Sequence, residues 1–219
     1  MAPLRAGDTE HMITGEMSDE RPSVQDRILR AAHELFLTQG YNGSNLRDIA
    51  ARAEVSMGGI YHHFASKEDI YETLLRRTEL GKELPRLGAL VSDPSFPENT
   101  AQIGRAIFDI ANRFQDDFKL VYIDILEFQG RNIKPLLAPV RETLGMAASS
   151  LLGARIAKGE VADLSPGLML RVIVGLYLYL YLEDSMLELD TAEEMGMPED
   201  EVAEQMAQIL LHGMMRAPK

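Results

Sequence analysis

Residues 43–70 read GSNLRDIAARAEVSMGGIYHHFASKEDI, and the reading of this stretch decides the fold. Its apolar positions fall into two short groups, Leu46, Ile49, Ala50 and Ala53, then Met57, Ile60, Tyr61 and Phe64, each spaced as one face of an α-helix. Only Ala53-Glu54-Val55 separates them. Ser44 and Ser56 stand where N-caps are needed, because a side-chain oxygen there accepts a backbone N–H that the first helical turn leaves unpaired. Ser66-Lys67-Glu68-Asp69 opens a third helix with capping-box spacing. The expectation is two helices held at an angle by a three-residue turn, with the start of another close behind. Such a unit reads DNA when its second helix is short and presents its first residues outward.

Working outward, Ser23-Val24-Gln25-Asp26 is a further capping-box start, and Ile28, Leu29, Ala32, Leu35 and Phe36 repeat at helical spacing up to the stop at Gly40. This helix is expected to share a core with Ile49, Ile60 and Phe64. With it in place, the order of parts resembles the DNA-binding domain of the TetR (tetracycline-repressor) family over roughly residues 23 to 80. The resemblance is carried by Gly40-Tyr41, Leu46-Arg47-Asp48-Ile49-Ala50, Val55-Ser56, Gly58, Tyr61-His62-His63-Phe64 and Ser66-Lys67-Glu68. One position departs: Glu54 stands in the turn where many members have glycine, and its charge predicts that it points away from phosphates.

Position by position, the resemblance implies phosphate contacts from Ser44, Tyr61, His62 or His63, and Lys67, and base reading from Arg47, Ser56, Met57 and Gly59. Asn45 and Gly58 complete the expected DNA-facing set. Between Ser56 and His63 there is no Arg, Lys, Asn or Gln, the side chains that pair two-pronged with base edges. Arg47 is therefore the expected guanine contact. No metal or cofactor is expected: adjacent histidines on a helix point about 100° apart, and no acidic or thiol cluster completes a site.

The chain has 219 residues, no cysteine, no tryptophan and a net charge of −12. Without cysteine, disulfides, thiolate metal sites and cysteine nucleophiles are excluded. The charge is uneven: residues 21 to 67 carry six Lys/Arg against four acids, whereas residues 68 to 219 carry fifteen against twenty-five. An acidic body behind a mildly basic head suits a protein that approaches DNA by one face. No basic stretch followed by an apolar run opens the chain, and the longest apolar run, Leu168 to Leu182, is interrupted by Arg171 and shorter than a bilayer span. A cytoplasmic protein without a membrane partner is expected.

Residues 1–20 lack apolar periodicity and are acidic, so a disordered arm without DNA contact is expected there. Residues 21–67 are expected to form the helix-turn-helix head and 68–219 a helical domain for effector binding and dimerisation. From Lys67 a helix is expected to run to Leu84, broken by Pro85 and then by Asp93-Pro94-Ser95-Phe96-Pro97. Helical spacing then continues over 98–114, 117–130, 136–158, 166–188 and 198–216, which makes the chain all α.

The last two segments are apolar on more than one side. Leu168, Val172, Leu176 and Tyr179 line one face of the first, and Leu170, Ile173, Val174, Tyr177 and Tyr181 the other. In the second, Val202, Met206, Ile209, Leu210, Gly213 and Met214 form a stripe. One face packing inward and one against a second copy accounts for this pattern, and the resemblance likewise implies a homodimer built from the last two helices. Two heads then predict a palindromic operator. The resemblance also implies a small-molecule effector pocket in the body, for which the candidate contacts are Tyr122, Glu127, Arg131, Arg171, Tyr177, Tyr179 and Tyr181, with Asp124 beside them. The functional expectation is a ligand-released repressor. Its alternatives are an activator of the same architecture and an α-helical enzyme with a vestigial head, against which stands the lack of any Ser-His-Asp, metal or phosphate-loop pattern.

Overall fold

The computed structural model describes residues 22–186, 189 and 191–214, so the expected arm at 1–20 lies outside the described residues. Those described form helices and no strand, as the spacing predicts. Four helices make up the head region: α1 (Val24–Gly43), α2 (Leu46–Arg52), α3 (Met57–His63) and α4 (Lys67–Arg77). The rest are α5 (Leu80–Val91), α6 (Thr100–Arg113), α7 (Gln115–Glu127), α8 (Ile133–Ala157), α9 (Pro166–Met186), the short α10 (Thr191–Met195) and α11 (Glu199–Met214).

Two hydrophobic cores organise these helices. The first takes Ile28, Leu29, Ala32, Leu35 and Phe36 from α1, Ile49, Ile60 and Phe64 from the helix-turn-helix, and Ile70, Tyr71, Leu74 and Leu75 from α4. It also takes Leu120 from α7. Packing therefore does not stop at residue 67: α4 completes the head's core, and the Tyr71 hydroxyl donates to the Leu120 carbonyl at 2.6 Å. The second core lies among α5, α6, α8, α9 and α11, around Ile103, Ile107, Leu152, Ile173 and Tyr177.

The linking helix ends earlier than Pro85 suggests. Thr78 leaves the helical region (φ −57, ψ 138), and its hydroxyl donates back to the Leu75 carbonyl at 2.9 Å. A new helix starts at once because the Asp117 carboxylate accepts the N–H groups of Glu79 and Leu80 at 2.9 and 3.2 Å. Pro85 falls inside α5 and forfeits one backbone bond there without ending the helix.

Helix α9 has the two faces expected of it. Ile173, Tyr177 and Tyr181 are buried, whereas Leu168 and Tyr179 are 59% and 56% exposed and Val172 and Leu176 are also open. By length and mean hydropathy its stretch Pro166–Asp184 reaches what a bilayer span needs, contrary to the expectation from the apolar run. Its tyrosines nevertheless bond inside the body: the Tyr177 hydroxyl donates to the Ala203 carbonyl at 3.0 Å and the Tyr181 hydroxyl to that of Ala111 at 2.9 Å.

Candidate nucleic-acid interface

Helix α2 starts at Asn45, not Ser44. The Asn45 side-chain oxygen accepts the N–H groups of Arg47 and Asp48, both at 3.0 Å. Ser44 is buried instead, and its hydroxyl donates to the Tyr41 carbonyl at 2.8 Å, which withdraws it from the DNA-facing set. Helix α3 starts at Ser56 as expected, with the Gly59 N–H on its oxygen at 3.1 Å. The first seven-residue helix is turned against the second by a Schellman end: the Val55 N–H reaches the Ala50 carbonyl at 3.0 Å and the Glu54 N–H that of Ala51 at 3.2 Å. Glu54 occupies the left-handed position of this motif, φ 55, and is exposed. Its place there explains why glycine suits the position.

Two arginines of the head serve this turn. Arg27 donates to the Ala53 carbonyl at 3.0 Å, and Arg52 pairs with Glu34. Arg47 is different: its side chain is exposed and its guanidinium has no partner among the described residues. Tyr61 is 58% exposed, and His62 and His63 are exposed with their rings edge to face at 4.9 Å. Met57 is half-buried and packs against the head's core, so only part of it is free for a thymine methyl. At Gly58 an added Cβ would meet nothing closer than the Ser56 hydroxyl, 3.7 Å away. The fold thus leaves room for a side chain that the sequence does not place there.

Lys67 proves to be a clasp. Its ammonium donates to the carbonyls of Tyr41 and Ser44 at 2.7 and 2.8 Å and lies 4.0 Å over the Tyr41 ring. Burial lowers its pKa, and the nearby Glu127 carboxylate opposes that shift. One of its three donors remains for a phosphate.

The seven residues expected to line an effector pocket are divided among the junction with the head, the body's interior and the exposed face of α9. Glu127 accepts the N–H groups of Tyr41 and Asn42, and Arg131 pairs with Glu68, so both join body to head. Arg171 and Tyr179 lie on the exposed face of α9. Tyr177 and Tyr181 are core residues, and burial pushes the Tyr177 phenol up to about 12. Tyr122 is half-buried on α7, its phenol raised by that burial. Asp124 is fully buried and holds the start of α8. Asp124, Glu127, Arg131, Tyr177 and Tyr181 thus have protein partners where a ligand had been expected.

For the dimer face, Val172, Leu176, Tyr179 and Ile209 are exposed, the last by 73%. Val202 and Leu210 face the other way and are buried, and Met206 packs against the body's core. Gly213 and Met214 end α11, and their side chains lie outside the described part.

An exposed arginine at the start of α2, a capped α3 with an open glycine and a tight turn between them define a helix-turn-helix DNA-binding head on a helical body. The family model for bacterial regulatory proteins of the tetR family matches residues 28–74. The repressor BepR of Brucella suis biovar 1 is 30% identical over 148 residues, covering 66% of this chain and 68% of that protein. The repressor Rv3405c of Mycobacterium tuberculosis is 38% identical over 87 residues, 40% of this chain and 43% of its own length. Among solved structures, the ketosteroid transcriptional regulator KstR2 of Mycobacterium tuberculosis aligns with a TM-score of 0.56 at 21% identity, covering 90% of this chain and 98% of that one. GusR of Salmonella enterica aligns at 0.55 and 19%, covering 86% and 94%, and these two likenesses speak to the fold. The chain belongs to the TetR family and is a DNA-binding transcriptional regulator, not an enzyme.

Proposed function

We propose that the protein is a repressor that binds a palindromic operator as a cytoplasmic homodimer and is released by a small-molecule effector. The observation that carries this reading is the head's surface: Arg47 is exposed without a partner among the described residues, beside the open Gly58 and the exposed Tyr61. Two relatives named as repressors support the direction of regulation. The dimer face is the stripe Leu168, Val172, Leu176 and Tyr179 of α9 with Ile209 of α11, large apolar side chains that one copy leaves in water. Gly175 and Arg171 lie on the same side of α9.

The effector's place in this reading is the cleft between α5 and α8, about 420 Å³, lined by Pro85, Gly88, Pro139, Val140, Thr143 and Leu144 among others. Its described lining is mostly apolar, which suits a molecule with a substantial apolar part. The cleft sits against α5, whose start is held by Asp117, so a wedge there can alter how the body carries the head.

The test is selection of duplexes from a random DNA pool by the full chain, with Arg47→Ala beside it. An enriched palindrome whose preference relaxes at one base pair per half-site in the variant supports the reading. A folded chain that enriches nothing across a range of salt overturns it.

A further inference from the structure

Three carboxylates on one side of α7 each hold the start of a different segment. Asp117 accepts the first N–H groups of α5. Asp124 accepts the Ile133 N–H at 3.0 Å and the Asn132 side-chain amide at 2.8 Å where α8 begins. Glu127 reaches the head, where its two oxygens accept the N–H groups of Tyr41 and Asn42 at 3.0 and 2.7 Å. Spacings of seven and three put these acids on the helix side that also carries Leu120 into the head's core.

The Glu127 contact answers a need created by the sequence. Gly40 (φ 73, ψ 171) breaks the helical path inside α1, so the two N–H groups that follow lose their regular acceptors. A Cβ on Gly40 would stand 2.8 Å from the Glu127 carboxylate, so the glycine both makes the break and admits the acid. On the carbonyl side of the same loop stands Lys67, donating to Tyr41 and Ser44. Residues 41–44 are thus gripped by an acid on one side and an ammonium on the other, and the next residue, Asn45, caps the helix that carries Arg47. Phe128 adds a ring 4.5 Å from that of Tyr41 and stacked 4.9 Å from that of Tyr71.

We propose that Glu127 is a positioning residue for DNA recognition, contributed by the body. It ties the loop from which α2 starts to the helix that also frames α5 and α8, so the distance between the two heads of a dimer is set by α7 as well as by the chain link at Thr78. This rests on the dimeric operator reading above.

The test uses the full chain as wild type, Glu127→Gln and Glu127→Ala. The amide keeps the volume and one acceptor oxygen, and alanine removes both. Hydrogen exchange without DNA is expected to quicken roughly tenfold or more at Tyr41 and Asn42 in the alanine variant, with core amides of α1 and α4 unchanged. Against duplexes carrying the selected half-sites at varied separations, the wild type is expected to prefer one separation, the alanine variant to accept several, and the glutamine variant to fall between. Unchanged exchange at Tyr41 and Asn42 overturns the contact. Faster exchange with an unaltered separation preference reduces Glu127 to a structural cap and overturns its positioning role. A wild type that selects no palindrome at all fails the dimeric reading itself, and the positioning role falls with it.

Discussion

Gly104 of α6 lies directly against the ring of Tyr177 of α9: a Cβ built on Gly104 would stand 2.2 Å from Tyr177 Cε1. The ring passes over the glycine to deliver its hydroxyl to the Ala203 carbonyl on α11, so one tyrosine joins three helices through a gap that only glycine leaves. Gly104→Ala is expected to cost at least about 2 kcal/mol, since a close-packed core cannot absorb the methyl without moving a helix. In thermal unfolding this is a fall of roughly 4 °C or more for a chain of this size. An unchanged midpoint would mean that α6 and α9 can separate freely.

Glu54 should be improved by glycine. The left-handed position costs a residue with a Cβ roughly 1–2 kcal/mol, and glycine gives back about 0.5–1 through the freer unfolded chain. Glu54→Gly is therefore expected to stabilise the protein by about 0.5–1 kcal/mol in denaturant titration, with the operator preference intact.

Gly58 separates folding from binding. Alanine there meets no obstacle within the chain and improves helix propensity by up to about 1 kcal/mol. Gly58→Ala is expected to raise stability while weakening operator binding, because the added methyl lies on the side left open for DNA. Equal or tighter binding would place the duplex elsewhere on the head.

Ile209 and Leu176 test the assembly. Both are exposed in the single chain, so Ile209→Glu with Leu176→Glu should leave helix content unchanged and yield a monomer in sedimentation. A dimer mass that survives both changes would move the interface to another face.

Arg155 gives a dependence on acid. It grips Glu98 with two nitrogens and donates to the Phe96 carbonyl at 2.9 Å, and this hydrogen bonding holds the Glu98 carboxyl below its ordinary value. A lowered folded pKa contributes stability above the unfolded carboxylate value and loses it as pH falls through the lower one. The stability gap between wild type and Glu98→Gln, measured by urea titration, is therefore expected to be largest near neutrality and to shrink in acid.

What could be read from the sequence was local. The caps at Ser23, Ser56 and Ser66 and the two faces of α9 are each announced within a few residues of where they act, and each stands in the structure, while the stop expected at Gly40 is a break inside α1, which runs on to Gly43. The misreadings concern partners far along the chain. Glu127 and Tyr41 are 86 residues apart, so nothing near position 127 distinguishes an acid reserved for a backbone from one awaiting a ligand. Ser44 and Asn45 are both good caps; the structure uses the Asn45 side-chain oxygen, while the serine is buried with its hydroxyl turned to the Tyr41 carbonyl. Pro85 has the local signature of a break, but the Asp117 carboxylate had already started a helix five residues upstream of it. Tyr177 and Tyr181 share the helical period of any pocket lining; only the carbonyls on α11 and α6 show that their hydroxyls are taken.

The grip of α7 on the head bears on how such regulators can be recombined. The stretch that defines the family ends at residue 74, which invites cutting there and grafting the head onto a foreign sensor. A graft so cut leaves Leu120, Glu127 and Phe128 behind, exposing the Tyr71 ring and stranding two backbone donors beside Gly40. The transplantable unit is discontinuous: it is the head together with one helix of the body, and a chimera that honours only the linear boundary inherits a loosened reading head.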